Sequence, residues 1–272
     1  MDLITECEIF FDSFTHLIKE ARPFEAKGIF HSEMLMFCSL VKALDVEQII
    51  ESGRARGQST EIIARFVSQY GGIKFDSIEF DERSPDVKVA EERLSSLRKW
   101  VCLHYGDANN LVPRLICKKR CVLLIDGPKG PAALKLAVEA LKNENVIGVF
   151  LHDVHRDADN IRPIITEFFP ESVFSDDEAF VERFCVVDED CWNRQSKSPG
   201  CEGWKPYYRG QKKMKSYSAT LGFIPRPKLL DGNDLKKCLH KIEKEIRKDK
   251  SLFQRFRRKM IKTIVGVSNE IF

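Results

Sequence analysis

The chain has 272 residues, 43% hydrophobic and 31% charged, a composition that excludes wholesale disorder and a fibrous architecture. This length suits one α/β domain with helical additions rather than two full domains, and the formal net charge of +3 is too near neutral to mark a nucleic-acid or membrane partner by itself. Nine cysteines without a Cys-x-x-Cys pair argue against a disulfide framework and a structural zinc site, and fit a reducing cytosol. No apolar run approaches the ~20 residues of a membrane span. Asp2, Glu6 and Glu8 stand where a secretion signal would carry basic residues.

Leu3 to Ala21 and Ser32 to Leu44 space apolar residues at helical intervals, and the short run Val46 to Ile50 reads as a first strand. A glycine-bearing turn follows, then a helix over Thr60 to Tyr70, the pair Gly71-Gly72, and a second strand over Ile73 to Phe80. The alternation continues with a helix from Ser84 to Trp100, a strand at Val101 to Tyr105 and a short helix near Asn110 to Ile116. A strand at Cys121 to Ile125, a helix at Pro131 to Leu141 and a strand at Val146 to Leu151 complete five βα units. The near-continuous apolar character of these strands is what a parallel sheet covered on both faces requires.

After Asp153 the pattern gives a helix over Ile161 to Phe168, a strand near Phe184 to Val187, a polar loop to Lys215 and a strand over Ser216 to Ile224. The loop from Trp192 mixes Trp192, Trp204, Tyr207 and Tyr208 with Arg194, Lys197, Lys205 and Arg209, a combination suited either to capping an acceptor pocket or to a solvated loop. Pro225 and Pro227 close the domain, and Leu235 to Val265 reads as a basic amphipathic helix. Between Asp234 and Lys262 there are 12 Lys or Arg against 4 Asp or Glu. Such a helix either packs by one face on its own domain or lies on the anionic inner face of a membrane. The expected organisation is N-terminal helices over 1–45, a core over 46–227 and a basic helical tail over 228–272. The expected fold is α/β, Rossmann-like and doubly wound, with a mostly parallel seven-stranded sheet.

The first βα turn runs Glu51-Ser52-Gly53-Arg54-Ala55-Arg56-Gly57-Gln58-Ser59. Its glycines let backbone approach a ligand closely at the carboxyl edge of the sheet. A dinucleotide fingerprint would be Gly-x-Gly-x-x-Gly with a pyrophosphate on the helix N-terminus, and Glu51 would repel that group. A ligand with an ammonium and a sulfonium is better matched. The segment Glu51-x-Gly53-x-x-x-Gly57-x-Ser59 resembles the first motif of class I S-adenosylmethionine methyltransferases, over roughly Phe30 to Val154. The second strand ends in Glu79 and Asp81, and Glu79 is the acid placed for the ribose hydroxyls. Gly106-Asp107-Ala108, after the third strand, is similar to the family segment that borders adenine. The resemblance thus implies cofactor contacts from Glu51, Gly53, Gly57, Ser59, Glu79, Asp107, Ala108 and Asp126.

Methyl transfer is a direct displacement, so the chemistry belongs at the ends of the fourth and fifth strands, Asp126-Gly127-Pro128-Lys129 and His152-Asp153-Val154-His155. Asp126-x-x-Lys129 is similar to the catechol and caffeoyl-coenzyme A type O-methyltransferases, where such an Asp binds a divalent metal and such a Lys is the base. Macrocin-type sugar O-methyltransferases are similar too, with His at the Lys position. The resemblance implies Lys129 as base, and Asp126 and Asp153 as ligands for Mg²⁺ or another divalent cation. The chain departs from the pattern at Val154, where the catechol type has a third, Asn or Asp, ligand. Metal dependence is left open there, with His152 or His155 placed to complete the site or serve as a base. The implied partner is a hydroxylated small molecule or a sugar. Two other readings stay beside it: methylation of a nitrogen or nucleic-acid acceptor, disfavoured because no Asn-Pro-Pro-Tyr-like segment follows the fourth strand, and a Rossmann-like scaffold without turnover.

Overall fold

The computed structural model describes residues 2–154, 156, 161–199, 205–206, 216–217, 220–227 and 232–248. Two helices, α1 (Leu3–Glu20) and α2 (His31–Ala43), precede five βα repeats. These are β1 (Gln48–Ser52) with α3 (Gln58–Tyr70), β2 (Lys74–Glu79) with α4 (Pro85–Arg93), and β3 (Cys102–Tyr105) with α5 (Ala108–Leu115). They continue with β4 (Cys121–Ile125) and α6 (Gly130–Leu141), then β5 (Val146–His152) and α7 (Arg162–Phe168). Then come β6 (Val173–Phe174), α8 (Glu178–Phe184), α9 (Glu189–Gln195), β7 (Lys205–Pro206), β8 (Ser216–Tyr217) and β9 (Leu221–Pro225). A last helix, α10, covers 232–248.

Capping follows the sequence. Asp2 accepts from the Ile4 N–H at 3.3 Å, Ser84 opens α4 with a proline at its first position, and Asp107 accepts from the Asn109 N–H at 2.9 Å. The main sheet has the order β3-β2-β1-β4-β5-β9-β6, parallel except for β9, which runs antiparallel to both neighbours. This is a doubly wound, Rossmann-like α/β fold. Alternate residues of each central strand feed opposite layers. Ile49, Val122, Leu124 and Phe150 join α1, α2 and α3 in one core, while Ile50, Leu123, Ile125 and Leu151 join α6, α7 and α10 in the other. Phe150 lies between Phe37, edge-to-face at a centroid distance of 4.7 Å, and Phe223, tilted at 4.6 Å, contacts worth about 0.5–1.5 kcal/mol each beyond their buried area.

Several boundaries depart from the sequence reading. Phe184 to Val187 is not a strand: Phe180 and Phe184 lie one turn apart on α8 with rings 4.9 Å apart, and Cys185–Asp188 is a 3-10 turn. The two-residue β6 takes that place in the sheet, too short to show a period. The expected strand over Ser216 to Ile224 is divided, with β8 paired to β7 in a separate two-stranded sheet and β9 entering the main one. The helix expected from Ser84 to Trp100 breaks at Leu94 into α4 and a 3-10 turn, Ser95–Trp100. The described part of the basic tail packs on its own domain through Cys238 and Ile242, and Lys241 and Glu243 pair with Glu167 and Lys135. Residues 249–272 lie outside the described residues. Among the described residues no helix is long and apolar enough to cross a membrane.

The winding reverses direction between β1 and β4, and the loops leaving these two strands meet at that crevice. Ser52 O accepts from the N–H groups of Asp126 and Gly127 at 2.8 and 3.0 Å. Gly53 has φ +93°, and a Cβ on it would stand 2.5 Å from Gly127 N. Gly53→Ala is therefore expected to cost about 2 kcal/mol or more and lower the unfolding midpoint by roughly 5 °C. Gly72→Ala, also at positive φ but with nothing within 4 Å of the added carbon, should cost less. Calorimetric scans of the two variants make the comparison.

On the N-terminal side, buried Asp188 accepts from Ser32 N and Ser32 Oγ at 2.8 and 2.6 Å. Burial pushes its carboxyl up to about 7, the Ser32 hydrogen bonds opposing this and Glu33 adding to it. The folded chain thus holds this proton more tightly than the unfolded chain, whose group titrates near 3.8. The associated stability is complete below that value and is lost as pH rises through about 7. The unfolding midpoint of Asp188→Asn should fall less between about pH 5 and about pH 8 than that of the parent, as thermal scans at the two pH values would show.

Candidate active site

The glycine turn after β1 is shaped by three positive φ angles, Gly53 at +93°, Ala55 at +44° and Gly57 at +79°, the last opening α3. Beneath it Glu51 is fully buried. Its carboxylate accepts from Ser59 Oγ at 2.5 Å and from Thr60 Oγ1 and Ser77 Oγ at 2.6 Å each, and burial raises its pKa against these hydrogen bonds. Glu51 thus faces Ser59, Thr60 and Ser77 and does not line the neighbouring cavity. The strand runs two residues further than expected, to Ser52, and Glu51, on the same face as Ile49, points into the sheet–helix layer and fixes the start of α3 from below.

Arg54 shares that layer. Its Nη1 donates to Ser77 O at 2.8 Å and its guanidinium stacks 5.0 Å from the Tyr105 ring, while Nε and Nη2 find no hydrogen-bond partner among the described residues. Above the turn lies a cavity of about 480 Å³ between residues 25–29 and 54–59. Ser59 and Asp126 line it, together with Gln58, whose side chain ties the 25–29 segment down by accepting from Glu25 N at 2.8 Å and donating to Ile29 O at 3.0 Å. The cavity is of small-molecule size, and the first-turn N–H groups of α3 have no partner within the helix.

Glu79, Asp107 and Ala108 do not line this cavity; they continue from it along the ends of β2 and β3, where Gly106 N donates to Glu79 O at 2.9 Å. The half-buried Glu79 carboxylate accepts from Ala55 N at 2.6 Å and Phe80 N at 2.9 Å, which places it against the turn. Phe80 beside it is 73% exposed, an aromatic face at the same edge that the strand pattern alone did not single out. Asp107 caps α5, and its carboxylate also accepts from Asn109 Nδ2 at 2.8 Å.

Across the crevice the ends of β4 and β5 carry the charged cluster. Lys129 Nζ donates to Asp126 and, at 2.6 Å, to Asp153 Oδ2, and lies 3.2 Å from His152 Nδ1. His152 Nδ1 is 2.5 Å from Asp126 Oδ1, and its Nε2 is 3.4 Å from Glu33 Oε1 on α2. Asp153 has φ +62°, a left-handed conformation tolerated by Asp, which turns its carboxylate back towards Lys129. Burial would lift the Asp126 carboxyl, yet His152 and Lys129 outweigh it and hold the group below its ordinary value. Burial would likewise lower Lys129, but Asp126 and Asp153 raise it.

Donor atoms of Asp126, His152 and Asp153 all lie within 4.8 Å of one another, and two carboxylates with an imidazole fit a divalent cation. His152 thus supplies the third donor of this group, while Val154 is fully buried and packs against Gly222. Glu33 escaped sequence reasoning because an acid in the first turn of a helix reads as an end charge. His155, most of the aromatic loop and the end of the tail lie outside the described residues.

No family model matches the chain, and no curated protein matches it. Among solved structures it is similar to the O-methyltransferase TomG of Streptomyces achromogenes, involved in tomaymycin synthesis and solved with S-adenosylmethionine. The likeness is 19% identity over 53% of this chain and 71% of that one, at a TM-score of 0.42. It is also similar to an O-methyltransferase from Bacillus cereus solved with S-adenosylhomocysteine, at 16% identity over 62% and 83% of the two chains and a TM-score of 0.42.

Proposed function

We propose that the chain is an S-adenosylmethionine-dependent methyltransferase that acts in the cytosol on a hydroxyl group of a small molecule or sugar. The observation that carries this reading is the Asp126–Lys129–Asp153 cluster facing the glycine turn across the β1–β4 crevice. A proton-accepting group and a cofactor-sized cavity then share Asp126 as a wall. Backbone at Gly53 and Gly57 and the Ser59 hydroxyl are assigned to the methionine end of the cofactor, Glu79 to the ribose, and Asp107, Ala108 and Phe80 to the adenine edge. Glu51 acts from beneath, by holding Ser59 and Thr60.

Asp126, Asp153 and His152 Nδ1 are the groups that would hold a divalent cation, which would supply Lewis-acid polarisation of an acceptor hydroxyl. Lys129, within reach of both acids, is assigned to receive the hydroxyl proton as the methyl group moves. As an ammonium it cannot do so, and with no cation in the site Asp126 and Asp153 raise its pKa, so the competent fraction grows as pH increases.

Isothermal titration should show S-adenosylmethionine binding to the parent chain, weakened about 10- to 100-fold in Glu79→Ala, the equivalent of losing one or two charge-assisted hydrogen bonds. An absence of binding to the parent would remove the cofactor assignment. Lys129→Ala should lower kcat about 10²- to 10⁴-fold. Lys129→Arg should not restore it, because a guanidinium stays protonated. The parent kcat should climb on the alkaline side of neutrality, and a flat pH–rate profile, or full turnover in Lys129→Ala, would remove Lys129 as the base.

A further inference from the structure

Glu33 sits in the first turn of α2 with no solvent exposure, on a helix whose next four residues are Met34, Leu35, Met36 and Phe37. Burying a carboxylate costs several kcal/mol unless partners compensate. One oxygen, Oε2, accepts from the Phe30 N–H at 2.7 Å, which closes the helix end. Among the described residues the other, Oε1, has no conventional hydrogen bond and faces His152 Nε2 at 3.4 Å, an atom that itself has no hydrogen-bond partner among them. The opposite ring nitrogen of His152 meets Asp126 at 2.5 Å. One buried imidazole thus lies between two acids, hydrogen-bonded at Nδ1 to Asp126 of the charged cluster and facing at ion-pair distance, through Nε2, an acid of the N-terminal helices. A ring held in this way cannot turn without breaking both contacts, which is how a carboxylate behind a histidine sets its orientation at metal and catalytic centres.

We propose that Glu33 is a positioning residue: through His152 it fixes the Asp126 carboxylate in the direction from which it meets Lys129 and stands beside Asp153. The N-terminal helices then belong to the working site as well as covering the sheet. The catalytic consequence rests on the methyltransferase reading, whereas the control of His152 does not. A helix-end role alone would be served equally by glutamine, whose carbonyl accepts from Phe30 N–H as well as a carboxylate does.

The test uses the full-length chain and Glu33→Gln, with two readouts. Nitrogen-15 NMR of the histidine rings, with His152→Gln to assign the signal, reports which ring nitrogens carry protons and needs neither cofactor nor acceptor. Steady-state kinetics reports kcat and KM separately. The expected result is an altered His152 ring signal together with a kcat lowered about 10- to 100-fold at a KM for S-adenosylmethionine within about twofold of the parent. An unchanged His152 signal in folded Glu33→Gln overturns the proposal, and so does an altered signal with unchanged kcat. If the parent transfers no methyl group, the functional reading fails while the NMR comparison still decides whether Glu33 sets His152. Should Glu33→Gln not fold, Glu33→Asp, which keeps the charge and shortens the reach by one methylene, is read in the same way.

Discussion

The backbone contact between Gly53 and Gly127 is the constraint on which the site depends. Two loops that leave adjacent parallel strands must cross at the point where the winding of the sheet reverses, and they do so with no side chain between them. Ser52 O, bonded to Asp126 N and Gly127 N, locks the crossing. One loop carries the cavity floor and the other carries Asp126 and Lys129, so their separation is set by backbone rather than by flexible side chains. A group bound over α3 and a proton acceptor on the β4 loop therefore share one rigid frame.

Rigidity at the crossing is supported from both faces. Glu51 ties the first turn of α3 to β2 through Ser59, Thr60 and Ser77, so the glycine loop cannot rise without exposing a fully buried carboxylate. On the other side of the cavity, Gln58 and Gln195 hold the segment between α1 and α2: Gln58 bonds Glu25 N and Ile29 O, and Gln195 accepts from Lys27 N at 2.6 Å. The cavity wall is thus pinned by residues from α3 and α9. Glu33, one helix further along, reaches the charged cluster itself.

The βα alternation was legible because buried parallel strands leave apolar runs and their crossovers leave helical periods; Cys121–Ile125 was placed to the residue. What the sequence did not show follows from physics that periodicity does not record. A two-residue strand such as Val173–Phe174 has no period, and of Phe184 to Val187 only Phe184 is buried, against Phe180, while Val186 is exposed. Glu51 reads as part of the turn, but it is the last-but-one residue of β1 and shares the face of Ile49, the side that α3 covers. The Glu33–His152 contact joins residues far apart in sequence, and neither residue type announces it. Asp126 and Lys129 could be paired from their spacing; that Asp153 would curl back to the same ammonium depends on its left-handed backbone.

The sign of the Lys129 shift gives the cluster its chemical character. Two carboxylates around one amine make it reluctant to lose its proton, so few molecules are competent bases at neutral pH. The same field makes each competent molecule a stronger base, because the ammonium formed when a hydroxyl surrenders its proton is the species that Asp126 and Asp153 already stabilise. The site trades the population of the reactive form against the driving force for proton transfer. The balance is set by how firmly Asp126 is held, and the atoms that hold it are the backbone at Ser52 and the His152 ring.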